Sequence, residues 1–206
     1  MNAYTEKFEL AGPAGRIQAQ RDRPEGESAG IAVIAHPHPL FGGTMDNKVV
    51  QTLARAFVQS GWTAVRFNFR GVGQSEGSHD NGQGEVDDML AVVTGAAHDG
   101  PLALAGFSFG AYVTARTVDA LWKTRDLRRV VLVGTAASRF EVPPVPADVH
   151  DRTLVVHGEH DDTVPLAAVM DWARPQTLPV TVVPGGGHFF HGQLPLLKNL
   201  VLRHLR

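Results

Sequence analysis

Runs of continuous aliphatic and β-branched residues alternate along this chain with segments whose apolar residues recur at helical spacing. The runs are GIAVIAH, WTAVRFNF, PLALAGF, RRVVLVGTA, RTLVVHGE and LPVTVVP. A run that does not alternate with polar residues predicts a strand buried on both faces. Between the runs, residues 46 to 60 place Val49, Val50, Leu53, Phe57 and Val58 on one helical face, with Asp46 as the expected N-cap and Gly61 as the stop. GEVDDMLAVVTGAAH, FGAYVTARTVDALW, VPLAAVMDWA and LPLLKNLVLRHLR predict four further helices. Strands alternating with helices, joined by glycine-rich loops, specify a mostly parallel sheet with helices on both faces. KFEL and RIQAQ, flanking AGPAG, predict an antiparallel hairpin ahead of it. No internal repeat, linker or low-complexity tract interrupts the pattern, so residues 1–206 are expected to form a single domain. The interval 138–151, SRFEVPPVPADVHD, holds three prolines and no helical period, too little for an inserted cap or lid.

Composition narrows the function classes. The formal net charge of −2 gives no electrostatic footprint for nucleic acid or for an anionic membrane surface. The chain has no cysteine, which excludes a thiolate nucleophile, a thiolate metal site and a disulfide framework. No apolar run approaches the roughly 18 residues of a membrane span, and MNAYTEKFEL lacks the apolar core of a signal peptide. The expectation is a cytoplasmic protein that acts on a small molecule, with no nucleic-acid or membrane partner. An exposed apolar strip on the closing helix or an edge strand could support a homodimer.

GFSFG, residues 106–110, places Ser108 between a predicted strand and a predicted helix. A serine on so sharp a turn needs small neighbours, which Gly106 and Gly110 supply. The turn sets the hydroxyl at a helix N-terminus, where developing negative charge is stabilised. A serine is a weak nucleophile without a base, and the base needs an orienting acid. HGEHDDTVP offers Asp161, with Asp162 as the alternative, in the loop after RTLVVHGE. GGGHFFHG offers His188 directly after a glycine run, and His191, expected in the first turn of the closing helix. The order Ser, Asp, His, each at the end of a different strand, supports a catalytic set of Ser108, Asp161 and His188, with Asp162 still open as the acid.

Other motifs are weaker. Arg70 in FNFRGVGQSEG could contact substrate, but an ion pair with Glu85 or Asp88 is the expected role, since buried arginines are usually paired. GVGQSE lacks the third glycine of a dinucleotide fingerprint, and no helix starts directly after it. His36, His38, His157 and His160 could be imagined around one ion. They end strands or sit in loops with other roles, and HExxH is absent, so neither a metal nor a cofactor is expected.

HPHPLFGGTMDNKVV, FNFRGVGQSEG, GFSFG, HGEHDDTVP and GGGHFFHG, in this order, resemble the α/β-hydrolases over nearly the whole chain. More narrowly the chain resembles small capless bacterial serine hydrolases related to the dienelactone-hydrolase group. That group typically carries a cysteine nucleophile where this chain has Ser108, and aspartate is frequent where it has Asn68. The HGxxDxxVP pattern singles out Asp161. The resemblance implies an α/β-hydrolase fold without a lid and hydrolysis of a carboxylic ester or thioester through an acyl-enzyme. It also implies an oxyanion hole made by the backbone N–H groups of Phe109 and His38. Pro39 has no N–H, and Leu40 is the next candidate for the second donor. His36 is expected to brace that loop, and Leu40, Phe41, Met45, Phe107 and Phe189 are expected to line the substrate site. A peptidase or amidase of the same fold, or a retired hydrolase serving as a binding module, are the competing readings.

Overall fold

The computed structural model describes residues 5–206. Eight strands form one sheet in the order β1-β2-β4-β3-β5-β6-β7-β8. They are β1 (Thr5–Gly12), β2 (Gly15–Asp22), β3 (Ile31–Ala35), β4 (Thr63–Phe67), β5 (Leu102–Phe107), β6 (Leu127–Val133), β7 (Thr153–Gly158) and β8 (Val180–Val183). The hairpin β1–β2 is antiparallel, and β2 joins β4 in antiparallel register through Ala19↔Phe67 and Asp22↔Ala64. Every other pairing is parallel. The helices are α1 (Lys48–Gln59), α2 (Gln83–Ala96), α3 (Phe109–Leu121), α4 (Leu166–Ala173) and α5 (Leu194–His204).

The unbroken apolar strands are explained by two cores. Val33, Val65, Leu104, Val130 and Val155 point to the face covered by α2, α3 and α4. Their neighbours Ala32, Ile34, Ala64, Ala105, Val131 and Val156 point to the opposite face, where α1 and α5 contribute Val50, Leu53, Phe57, Leu197 and Val201. Strands buried on both sides need no polar face, so the sequence period is lost.

Three local expectations are corrected. Asn47, not Asp46, caps α1, its Oδ1 accepting from Val49 N–H at 2.9 Å. Asp46 is instead drawn to Arg66 Nη1, 3.2 Å away. The interval 138–151 is not wholly irregular, because Ala147–Arg152 forms a 3₁₀ turn leading into β7. His191 lies exposed in the turn before α5, not in the helix itself. No helix among the described residues is long and apolar enough to cross a membrane.

Candidate active site

The parallel strands β5, β7 and β8 end on the same side of the sheet, and each delivers one functional side chain there. Ser108 follows β5 with φ +57° and ψ −117°, a conformation that costs a non-glycine residue strain and is held only when the surroundings fix it. They do so here. Its N–H donates to Val133 O at 2.8 Å, and its carbonyl accepts from Ala111 N–H at 3.0 Å. The flanking glycines are demanded by packing. A Cβ on Gly106 would lie 2.2 Å from Gly110 O, and one on Gly110 would lie 2.4 Å from Ala35 O.

His188 stands between the other two groups. Its Nδ1 is 2.7 Å from Asp161 Oδ2, and its Nε2 is 2.9 Å from Ser108 Oγ. With the proton on Nδ1, the ring donates to the carboxylate and accepts from the serine hydroxyl, so both bonds are satisfied at once. Phe107 packs beneath the imidazole with centroids 4.9 Å apart, and Phe189 meets it edge-on at 5.0 Å.

Asp161 is fixed from three directions. Oδ1 accepts from Thr163 N–H at 3.0 Å and Val164 N–H at 2.7 Å, leaving Oδ2 for His188. Burial opposes its charge. The hydrogen bonds from His188 and the Val164 N–H outweigh that penalty and hold the carboxyl below the usual range. His157 is itself buried, and its Nε2–H donates to Val164 O at 2.9 Å. Burial pushes His157 down and keeps it neutral at pH 7. The loops carrying Asp161 and His188 are stitched together by His160 N–H on Gly186 O at 2.8 Å and by Gly185 N–H on Glu159 Oε2 at 2.8 Å. Asp162 is exposed and accepts from Thr163 Oγ1 at 3.3 Å, with no bond to His188.

The loop leaving β3 forms the opposite wall. His36 is fully buried, its Nδ1–H donating to Pro37 O at 2.6 Å while Nε2 accepts from Phe69 N–H at 3.1 Å. Burial lowers its pKa from the ordinary 6.5 to about 4, so the ring is a neutral brace between this loop and the segment after β4. Pro39–Phe41 form a 3₁₀ turn on which His38 Nδ1 accepts from Leu40 N–H at 3.2 Å. Gly43 N–H returns to His38 O at 3.0 Å. Among the described residues, neither His38 N–H nor Phe109 N–H donates to a protein acceptor, and both residues border the Ser108 cavity. Leu40, the alternative second donor, already spends its N–H on His38.

The cavity holds about 260 Å³, close to the lower end of the ~300–1,000 Å³ typical of ligand pockets. Phe41 and Phe189 border it. Three expected lining residues do not. Met45 is buried at the foot of the loop, where its N–H bonds Asn68 Oδ1 at 2.9 Å. Phe107, the last residue of β5, turns into the core on the α1–α5 side. Leu40 projects into solvent beside the cavity, 70% exposed. The sequence reading missed Arg139 and Phe140, which the proline-rich interval brings to the wall, and Thr163 and Val164 from the Asp161 loop. A proline-rich loop has no periodicity from which an inward side could be read.

The remaining motifs have structural partners. Arg70 makes a two-pronged bond to Asp88, Nε to Oδ2 at 3.0 Å and Nη2 to Oδ1 at 2.8 Å, away from the cavity. Glu85 caps α2 through Gly82 N–H at 2.7 Å and Asp80 N–H at 2.9 Å. A cavity of about 380 Å³ lies elsewhere, between α1 and the β2–β4 pair. Its buried Arg66 is taken up by Gln20, Asp22, Asp46 and the Met45 carbonyl. No group of three metal-ligating side chains is assembled among the described residues.

With this geometry in hand, the chain can be placed among known proteins. Residues 31–150 match the family model described as serine aminopeptidase, S33. A lidless α/β serine hydrolase from Xanthomonas campestris is 37% identical, with a TM-score of 0.88, over 100% of this chain and 95% of that one. An α/β serine hydrolase homologue from Coxiella burnetii is 39% identical, with a TM-score of 0.83, over 98% of this chain and 97% of that one. An uncharacterized protein of Rickettsia prowazekii is 43% identical over 111 residues, 52% of this chain. That match takes in only about half, 47%, of the Rickettsia protein's length.

Proposed function

The chain belongs to the serine aminopeptidase S33 family of α/β serine hydrolases, and on that premise we propose that it cleaves carboxylic esters or thioesters through an acyl-enzyme on Ser108. The observation that carries this reading is the continuous chain Ser108 Oγ, His188, Asp161, with contacts of 2.9 and 2.7 Å. As Oγ bonds to the acyl carbon, its proton passes to His188 Nε2. Asp161 supports the imidazolium and keeps the ring in register. The carbonyl oxygen becomes an oxyanion held by the N–H groups of Phe109 and His38. The C–O or C–S bond to the leaving group breaks as Nε2–H protonates it. Water then attacks the acyl-enzyme with His188 again as base, releasing the acid and restoring the serine.

The family's descriptive name invites an aminopeptidase reading. A free α-ammonium group calls for a carboxylate beside the scissile bond. Among the described residues the cavity wall carries no Asp or Glu, and its charged side chain is Arg139. The open wall favours small acyl groups, or large substrates whose ester protrudes, within a cytoplasmic setting. The test is labelling with a fluorophosphonate probe and location of the modified peptide by mass spectrometry. Label on Ser108 that is lost in Ser108→Ala and His188→Ala supports an active hydrolase. Folded protein that takes no label is a retired one.

A further inference from the structure

The cavity wall is divided. On one side stand His188 and Phe189, next to where the leaving group must be protonated. On the other, His38, Phe109 and Phe140 form a ring cluster, with His38–Phe109 centroids 4.9 Å apart, Phe109–Phe140 5.2 Å and His38–Phe140 6.0 Å. Phe140 is not loose, because it stacks on Tyr112 at 4.7 Å with planes 16° apart. The group remaining on the serine after the leaving group departs must lie away from the general acid, hence toward this cluster. Flat rings favour offset or edge contacts with other flat rings.

Arg139 borders the same side, next to Phe140 in sequence. It is exposed, and among the described residues its guanidinium makes neither a hydrogen bond nor an ion pair. Arg66 and Arg70, by contrast, are fixed by carboxylates. Among the described residues, no acidic side chain of the cavity wall competes for Arg139. A guanidinium offers a planar fork that suits a carboxylate.

Resting on the acyl-enzyme reading, we propose that the acid half of the substrate bears a flat ring and a second anionic group. The ring packs against the partly exposed His38 and Phe140 at the cavity face of the cluster, which Phe109 backs, and the anion pairs with Arg139. The substrate class is thus a half-ester or half-thioester of a ring-bearing diacid. Its hydrolysis would release a dianionic acid, whose extra charge is better solvated in the open mouth than in the cavity.

Three 4-nitrophenyl esters test this on the full chain: the 4-carboxybenzoate, the neutral 4-carbamoylbenzoate and the acetate, each corrected for its uncatalysed hydrolysis. The ratio of kcat/KM for the charged over the neutral benzoate should be about three- to fivefold, the scale of an ion pair at an exposed guanidinium. Arg139→Gln should bring that ratio to about one, Arg139→Lys should restore part of it, and Arg203→Gln, on the last turn of α5, should leave it intact. Acetate turnover with no preference for the charged benzoate, or a preference that survives Arg139→Gln, overturns the substrate class and leaves the hydrolase reading standing. No turnover of any of the three defeats both.

Discussion

Replacing His38 by proline separates the backbone of the oxyanion loop from its side chain. His38 has φ −53° and ψ 124°, close to the φ of about −65 ± 15° that a pyrrolidine ring imposes. Its N–H donates to no protein acceptor among the described residues, so proline removes no hydrogen bond from the resting fold. Proline does remove the imidazole, whose Nδ1 accepts from Leu40 N–H at 3.2 Å. His38→Ala removes the same ring and keeps the N–H, so the difference between the two variants isolates the donor. Losing one such donor costs about 2.7–4 kcal/mol in the transition state, or about 10²–10³-fold in kcat. The lost Leu40 contact, common to both variants, is an ordinary hydrogen bond worth about 1 kcal/mol. The assay is kcat for 4-nitrophenyl acetate in both variants, with circular dichroism and melting curves to establish that each is folded. His38→Pro should be slower than His38→Ala by the full factor of a hundred or more. Equal kcat values in two folded variants would place the second donor elsewhere and refute the assignment.

Other expectations follow from the same geometry. Asp161→Asn keeps an oxygen for the Thr163 and Val164 N–H groups but removes the charge that orients His188. Its kcat should fall about 10⁴-fold with the fold intact, and a loss below tenfold would assign the orienting role to another group. His36 binds its proton near the ordinary 6.5 when unfolded but at about 4 in the fold. Between those values the unfolded chain takes up the extra proton, so stability falls as pH drops from 6.5 and the loss is complete below about 4. At 1.36 kcal/mol per pK unit this is roughly 3 kcal/mol. Chemical denaturation at pH 7 and pH 4 should show a loss smaller by about that amount in His36→Gln than in the wild type. Identical pH profiles would mean that the ring is not held neutral. Arg70→Ala leaves Asp88 buried without its partner and should cost about 3–5 kcal/mol in urea denaturation, with KM on 4-nitrophenyl acetate unchanged. A raised KM would instead place Arg70 against substrate.

The strands, the helices and the Ser108, Asp161 and His188 constellation were legible because each rests on local chemistry. Unbroken aliphatic runs mark strands covered on both faces, and Gly106 and Gly110 mark a turn too tight for a Cβ. What was not legible depends on tertiary partners. Asp46 and Asn47 cap a helix about equally well in isolation, and Arg66, reaching across from β4, takes the first and leaves the second to cap. Phe107 sits at a strand end where the period-two rule gives two faces but not which one meets the site. Its side chain joins Ala103 and Ala105 in the α1–α5 core and supports His188 from below. Arg139 and Phe140 lie in an aperiodic loop, and the packing of Phe140 on Tyr112, Phe109 and His38 is tertiary information that the sequence does not carry. That the Leu40 N–H is taken up by the His38 ring could not be read from the sequence either, since it depends on the fold of the 3₁₀ turn.

The central claim is that Ser108 carries the acyl group. Its most direct test is rapid mixing with 4-nitrophenyl acetate, acid quench within the first turnover, and peptide mass spectrometry. The account predicts an acetyl group on the peptide containing Ser108, formed together with a burst of 4-nitrophenol, and neither in Ser108→Ala. Turnover without acetylation at Ser108, or undiminished turnover in Ser108→Ala, would contradict it.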